Sequence, residues 1–83
     1  MKKVKLYTTD YCPFCRRAEK LLNKKGVAFE SIDVTHDDNL REWLVKTTGR
    51  KTVPQIFIGE KAIGGFDDLN GLNQSGELDK LLT

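Results

Sequence analysis

Residues 4–18 read Val4-Lys5-Leu6-Tyr7-Thr8-Thr9-Asp10-Tyr11-Cys12-Pro13-Phe14-Cys15-Arg16-Arg17-Ala18. Val4 to Thr8 alternates and is rich in β-formers, the pattern of a strand. Pro13 opens a run to Lys25 in which Phe14, Ala18, Leu21 and Leu22 fall on one helical face. Proline suits the first helical position, where its fixed φ fits and its missing N–H is not needed. The only two cysteines of the chain, Cys12 and Cys15, stand at the joint. A strand that passes into a helix through Cys-x-x-Cys begins a βαβ unit, and this places the chain among α/β folds.

Working outward from that joint, Gly26 stands where a glycine just past the last turn ends a helix. Val27 to Val34 returns to strand, with Phe29, Ile32 and Val34 as its buried members. Thr35-His36-Asp37-Asp38 resembles a capping box, with Thr35 as N-cap and Asp38 three residues on. His36 reads as part of this helix start. The helix that follows places Leu40, Trp43, Leu44 and Thr47 on one face, with Trp43 in the core, and Gly49 ends it. Pro54 to Ile58 is a strand with proline at its first residue, where a missing N–H is tolerated. Gly59-Glu60-Lys61 is a turn, Ala62 and Ile63 form a short return strand, and Gly64-Gly65 ends it. Asp67 caps a helix to about Asn73, and Ser75 to Leu82 is a last helical piece. The order β-α-β-α-β-β-α, two right-handed crossovers and then a hairpin, predicts a four-stranded mixed sheet flanked by helices.

The 83 residues are expected to form one domain, 1–83. A chain this short buries only about 60–65% of its unfolded surface, so the core is thin and one cleft is expected. The 14 basic and 12 acidic residues leave a net charge of +2, with the basic residues scattered. That balance argues against nucleic acid or an anionic membrane as partner. Met1-Lys2-Lys3 begins like a secretory leader, but Thr8, Thr9 and Asp10 interrupt the apolar run that should follow. No stretch approaches the roughly 18 apolar residues of a membrane span. The expected compartment is the reducing cytoplasm.

In that setting Cys12-Pro13-Phe14-Cys15 reads as a redox pair. Cys12 falls at the helix N-terminus, where free N–H groups and the positive dipole end suit a thiolate, the nucleophile of disulfide exchange. Arg16 and Arg17 stand close enough to add to that field. Cys15, one turn on, can attack a mixed disulfide formed at Cys12. Two plainer readings compete. A structural zinc site wants four ligands, and only His36 remains as an obvious donor, so no metal is expected. A structural disulfide closing so short a loop contributes only about 2 kcal/mol.

Cys12-Pro13-Phe14-Cys15, Thr52-Val53-Pro54 and Gly64-Gly65-Phe66-Asp67-Asp68 together resemble the glutaredoxins, over essentially the whole chain. The resemblance implies a thioredoxin-like fold, Cys12 as nucleophile, Cys15 as resolving thiol and glutathione as reductant. It also implies a cis bond before Pro54 and a glutathione seat made of Thr52, Val53, Pro54, Gly65, Phe66, Asp67 and Asp68. Backbone N–H and C=O of Val53 would pair with the cysteinyl part of the ligand. The N–H groups of Phe66 and Asp67 would meet the γ-glutamyl carboxylate at a helix start. Asp67 or Asp68 would meet the ammonium. Read alone, Thr52-Val53-Pro54 is equally a loop-to-strand joint, and the glycine pair equally a turn before an Asp cap.

Two positions depart from the family. Phe14 stands where tyrosine is usual, which removes a hydroxyl beside the seat. Thr9 stands where a basic residue is common and offers the second glutathione carboxylate a hydroxyl but no charge. Arg50 and Lys51 are then the candidates for that carboxylate. The expected activity is glutathione-dependent reduction of protein disulfides and protein–glutathione mixed disulfides by a monomer, with glutathione reductase as indirect partner. Reduction by a thioredoxin reductase is an alternative that the Gly-Gly-Phe-Asp-Asp segment disfavours. Carriage of an iron–sulfur cluster is another, disfavoured by Pro13 and Cys15.

Overall fold

The structure is a computed structural model that describes residues 2–83; Met1, where the leader-like stretch begins, lies outside the described residues. The elements are β1 (Val4–Thr8), α1 (Pro13–Lys24), β2 (Glu30–Asp33), α2 (Asp38–Thr48), β3 (Gln55–Ile58), β4 (Lys61–Gly64), α3 (Phe66–Ser75) and α4 (Glu77–Leu82). The sheet order is β2-β1-β3-β4. β1 pairs parallel with β2 and antiparallel with β3, and β3 pairs antiparallel with β4. The mixed four-stranded sheet flanked by helices is the thioredoxin-like arrangement expected. Only the passage from β1 through α1 to β2 joins parallel strands, however. The second expected crossover is absent, because α2 delivers the chain to β3 on the far side of β1 in the opposite direction.

Alternation along the central strands sorts the core onto two faces. Val4, Leu6, Ile56 and Ile58 meet Ala18 and Leu22 of α1, Leu69 of α3, and Leu78 and Leu82 of α4. Tyr7 and Phe57 point the other way and meet Val34 and Leu44. The first face is aliphatic and covered by three helices. The second is smaller and covered by α2 alone.

Several local expectations are corrected. Asp37, not Thr35, caps α2, its carboxylate accepting from the Leu40 N–H at 3.0 Å. Thr35 is held elsewhere: its hydroxyl donates to Asp33 Oδ1 at 2.6 Å and accepts from the Asp10 N–H at 3.2 Å. Trp43 is 44% exposed, because only α2 covers that face and the indole lies over its edge, stacked on Phe57 with centroids 5.9 Å apart. Thr47 is exposed too. Phe14 is 49% exposed, since the first turn of α1 overhangs the sheet end and Cys15 takes the inward position. β2 is shorter than Val27–Val34, with Phe29 and Ile32 only partly buried, although Val34 is fully buried. α3 begins at Phe66 with Gly65 as its cap, so Asp67 lies inside the first turn. Gly26 ends α1 as expected, at φ +71°.

Candidate active site

Cys12 is the N-cap of α1. It keeps an extended backbone while the helix turns away, and its Sγ accepts from the Cys15 N–H at 3.2 Å. Its own S–H donates to the Val53 carbonyl at 3.6 Å. The thiol is half-buried and so open to a partner on one side. Cys15 is 0% exposed. Burial, with the Cys12 sulfur beside it, pushes its thiol up to about 11, against smaller opposing hydrogen bonds from Thr8 and the Thr9 backbone. One turn of helix therefore holds two thiols of the same chain in different environments, one open at a helix end and one enclosed.

The expected basic field is arranged differently. Arg16 turns back to the end of β1, where Nη2 donates to Thr8 Oγ1 at 2.9 Å, and it pairs with Glu19 at 3.1 Å. Arg17 lies over the Phe14 ring, 5.1 Å from its centroid.

Val53 stands opposite Cys12, and the Val53–Pro54 bond is cis. The buried amide of Gln55 closes this loop from beneath, donating to the Thr52 carbonyl at 2.7 Å. On one side of Val53 lies a groove of about 240 Å³ between Phe14, Arg50, Thr52, Pro54, Gly65, Phe66, Asp67 and Asp68. The structure thus brings together nearly all the residues singled out for the seat. The rings of Phe14 and Phe66, 6.4 Å apart, form its rim. The first N–H groups of α3, those of Phe66 and Asp67, have no partner within the helix and are a natural anion site.

Within this groove Asp67 and Asp68 separate. Asp68 Oδ2 accepts from the Gly65 N–H at 3.0 Å and from Arg50 Nη1 at 2.8 Å. The Arg50 hydrogen bond, followed by the Gly65 N–H, holds its carboxyl below the usual carboxylate range. Asp68 and Arg50 thus tie the α3 start to the residue before Lys51. Gly64, at φ +118°, lets them approach: a methyl there would lie 2.8 Å from Asp68 Cγ and 3.0 Å from Arg50 Nη1. Asp67 makes no ion pair among the described residues and stays exposed.

The structure places the groups expected near a second carboxylate unequally. Thr9 is 1% exposed, so its hydroxyl is not offered to a ligand. Arg50 is already paired with Asp68. A second groove, of about 210 Å³, runs past Val53 and Thr52 to Lys51 and to Arg41 on α2. Arg41 and Lys51 have no ion-pair partner among the described residues. Arg41 escaped the sequence reading. Ten residues, the rest of α2 and a loop, separate it from Thr52, and its position among the charges of α2 looks like any solvated face.

A family model described as glutaredoxin matches residues 4–63. A glutaredoxin of Pseudomonas aeruginosa is 48% identical over 83 residues, covering 100% of this chain and 99% of the relative. Glutaredoxin 3 of Escherichia coli is 48% identical over 82 residues, covering 99% of each. Among solved structures, a buckwheat glutaredoxin–glutathione complex superposes with a TM-score of 0.91 at 30% identity, covering 98% of this chain and 76% of that one. An open Cys12 capping α1 above a buried Cys15 agrees with these likenesses, and the chain belongs to the glutaredoxin family of thiol–disulfide oxidoreductases.

Proposed function

We propose that the protein is a glutathione-dependent dithiol reductase, with Cys12 as nucleophile, Cys15 as resolving thiol and the two grooves beside Val53 as the glutathione seat. The observation that carries this reading is the charge layout around Cys12. The α3 N-terminus and Asp67 stand on one side of Val53, and the unpaired cations Arg41 and Lys51 on the other. Glutathione has a carboxylate at each end, an ammonium beside one of them and a thiol between. Its γ-glutamyl carboxylate suits the Phe66 and Asp67 N–H groups, its ammonium suits Asp67, and its far carboxylate suits Arg41 and Lys51. Val53 can pair with its central backbone as a short strand. The buckwheat relative solved with glutathione supports the same ligand.

On a protein–glutathione mixed disulfide, the Cys12 thiolate attacks the glutathione sulfur. The S–S bond breaks, and the protein thiolate leaves and takes up a proton. A second glutathione thiolate then attacks the bound glutathione sulfur, releasing oxidised glutathione and the Cys12 thiolate. On a protein disulfide, Cys12 attacks one sulfur, and Cys15 gives up its proton and attacks Cys12 Sγ. Closure of the Cys12–Cys15 disulfide expels the substrate thiolate, and two glutathione molecules reopen the pair. Such chemistry belongs in a glutathione-rich, reducing compartment, which we take to be the cytoplasm.

A coupled assay tests the reading. A glutathione mixed disulfide is turned over with glutathione, glutathione reductase and NADPH, and in parallel with thioredoxin reductase alone. Turnover is expected only with the glutathione system. Turnover that needs thioredoxin reductase, and is indifferent to glutathione, would replace this reading with the thioredoxin-reductase alternative.

A further inference from the structure

Three cations that read as scattered in the sequence come together on α1. Arg17, Lys20 and Lys24 stand at i, i+3 and i+7, one stripe of the helix, and all three are exposed. They line a groove of about 520 Å³ between α1 and α3. Half-buried Leu21 and Phe66 lend this groove apolar surface, and Asn70 and Asn73 of α3 lend it amides. No carboxylate among the described residues lines it. Elsewhere the helical cations carry partners: Arg16 pairs with Glu19, Lys46 with Glu42 and Lys80 with Glu77. Arg17, Lys20 and Lys24 have no ion-pair partner among the described residues, a state they share with Arg41 in the groove beside Val53. Like charges three and four residues apart on a helix repel and destabilise it. An anion laid along the stripe relieves that repulsion.

The groove is continuous with the reaction site. Phe66 lines both it and the groove beside Val53. Arg17 lies over the Phe14 ring, 5.1 Å from its centroid, and the Phe14 and Phe66 rings are 6.4 Å apart. A substrate chain held at Cys12 thus has a way over this rim onto the stripe. Arg17 and Lys24 stand five and twelve residues beyond Cys12. At about 1.5 Å per helical residue, they lie about 8 and 18 Å along the axis. An extended chain covers about 3.3 Å per residue, so the stripe meets side chains about two to five residues from the substrate sulfur.

We propose that the α1–α3 groove docks an acidic segment of the protein substrate, with carboxylates two to five residues from the cysteine whose disulfide Cys12 attacks. The carboxylates lie along Arg17, Lys20 and Lys24. The Asn70 and Asn73 amides bond the segment's backbone, and Leu21 and Phe66 take its apolar side chains. Charge of this kind acts on the encounter, so it raises the rate at low concentration and fades with salt. The proposal rests on the reading of Cys12 as nucleophile and names a substrate class for it, but its test needs no glutathione.

Two peptides carry a central cysteine as a mixed disulfide with thionitrobenzoate. One has glutamates at the second to fifth positions on both sides of the cysteine, and the other has glutamines there. Each is mixed with the reduced protein in a stopped-flow instrument, and the absorbance of released thionitrobenzoate gives the second-order rate. At low salt the glutamate peptide is expected to react about ten-fold faster, a few-fold for each exposed ion pair, and salt should bring the two rates together. Lys20→Gln/Lys24→Gln is expected to remove most of the preference, and Lys20→Glu/Lys24→Glu to reverse it. Both should leave the glutamine peptide within about two-fold of the parent, which reports that the fold and Cys12 are intact. Lys2→Glu/Lys61→Glu makes the same change of net charge at the opposite end of the sheet and is expected to keep most of the preference. Equal rates for the two peptides in the parent, a preference that survives reversal at Lys20 and Lys24, or equal loss in both charge-reversed proteins would each overturn the proposal. Failure of the glutathione assay with these preferences as expected would overturn the proposed reductant alone.

Discussion

Cys12 and Cys15 are separated by one helical turn, yet they occupy opposite environments. Cys12 caps α1, accepts an N–H, and faces Val53 with one side open. Cys15 points into the protein, is fully enclosed, and holds its proton up to about 11. The amino acid is the same and the backbone is nearly continuous. What differs is which helical position lies over the sheet end and which lies beneath it. On the proposed mechanism, position within the turn divides the labour: the open thiol meets substrates and the enclosed one meets only Cys12.

The sharpest way to break this comparison is to remove each sulfur in turn. Cys12→Ser is expected to lose more than about a thousand-fold in turnover on every disulfide substrate, because no other group can form the mixed disulfide. Cys15→Ser is expected to lose about a hundred-fold on a protein disulfide while staying within a few-fold on a glutathione mixed disulfide, where free glutathione resolves the intermediate. Steady-state rates of both variants on both substrates check this. Equal loss on both substrates in Cys15→Ser would end the division of labour.

A second prediction reads the enclosure of Cys15 as stability. Its folded thiol lies at about 11 against an ordinary 9.0, so the folded protein keeps a proton that the unfolded chain gives up. Its contribution is fully present below pH 9 and is lost as pH rises toward 11, amounting at most to about 2–3 kcal/mol. Urea unfolding of the parent and of Cys15→Ala at pH 8 and pH 11 isolates the effect. The parent should lose more stability between those pH values than the variant does. Parallel losses would mean that Cys15 is not enclosed.

Smaller effects sharpen the Cys12 side of the comparison. Asp67→Asn is expected to raise the apparent glutathione KM about ten-fold, the weight of a charged hydrogen bond. Arg41→Ala and Lys51→Ala are each expected to raise it a few-fold, as exposed ion pairs do, and salt should blunt both changes. Arg50→Ala acts indirectly, by releasing Asp68 from the α3 start, and its effect is of the same few-fold size.

The fold was legible because its signals are local. The alternation of Val4–Thr8, Pro13 at the first helical position and Gly26 past the last turn each state a backbone requirement in the residue itself. The cysteine pair was legible for the same reason. Trp43 misled because an amphipathic pattern shows which side of a helix is apolar, and not how far the sheet extends beneath it. Thr35 misled because the cap depends on where α2 starts to turn, and Asp37 was an equally good capping residue two positions on. The Arg50–Asp68 pair, the burial of Thr9 and the place of Arg41 were invisible, since each depends on segments distant in sequence meeting across the sheet end.

The central claim is that an open Cys12 beside a glutathione seat takes the glutathione half of a mixed disulfide. It is tested most directly by incubating Cys15→Ser with one equivalent of a glutathionylated peptide, quenching with acid and reading the intact mass of the protein. The account predicts glutathione on Cys12 and the peptide released with a free thiol. Peptide on Cys12 with glutathione released, or no adduct at all, would contradict it.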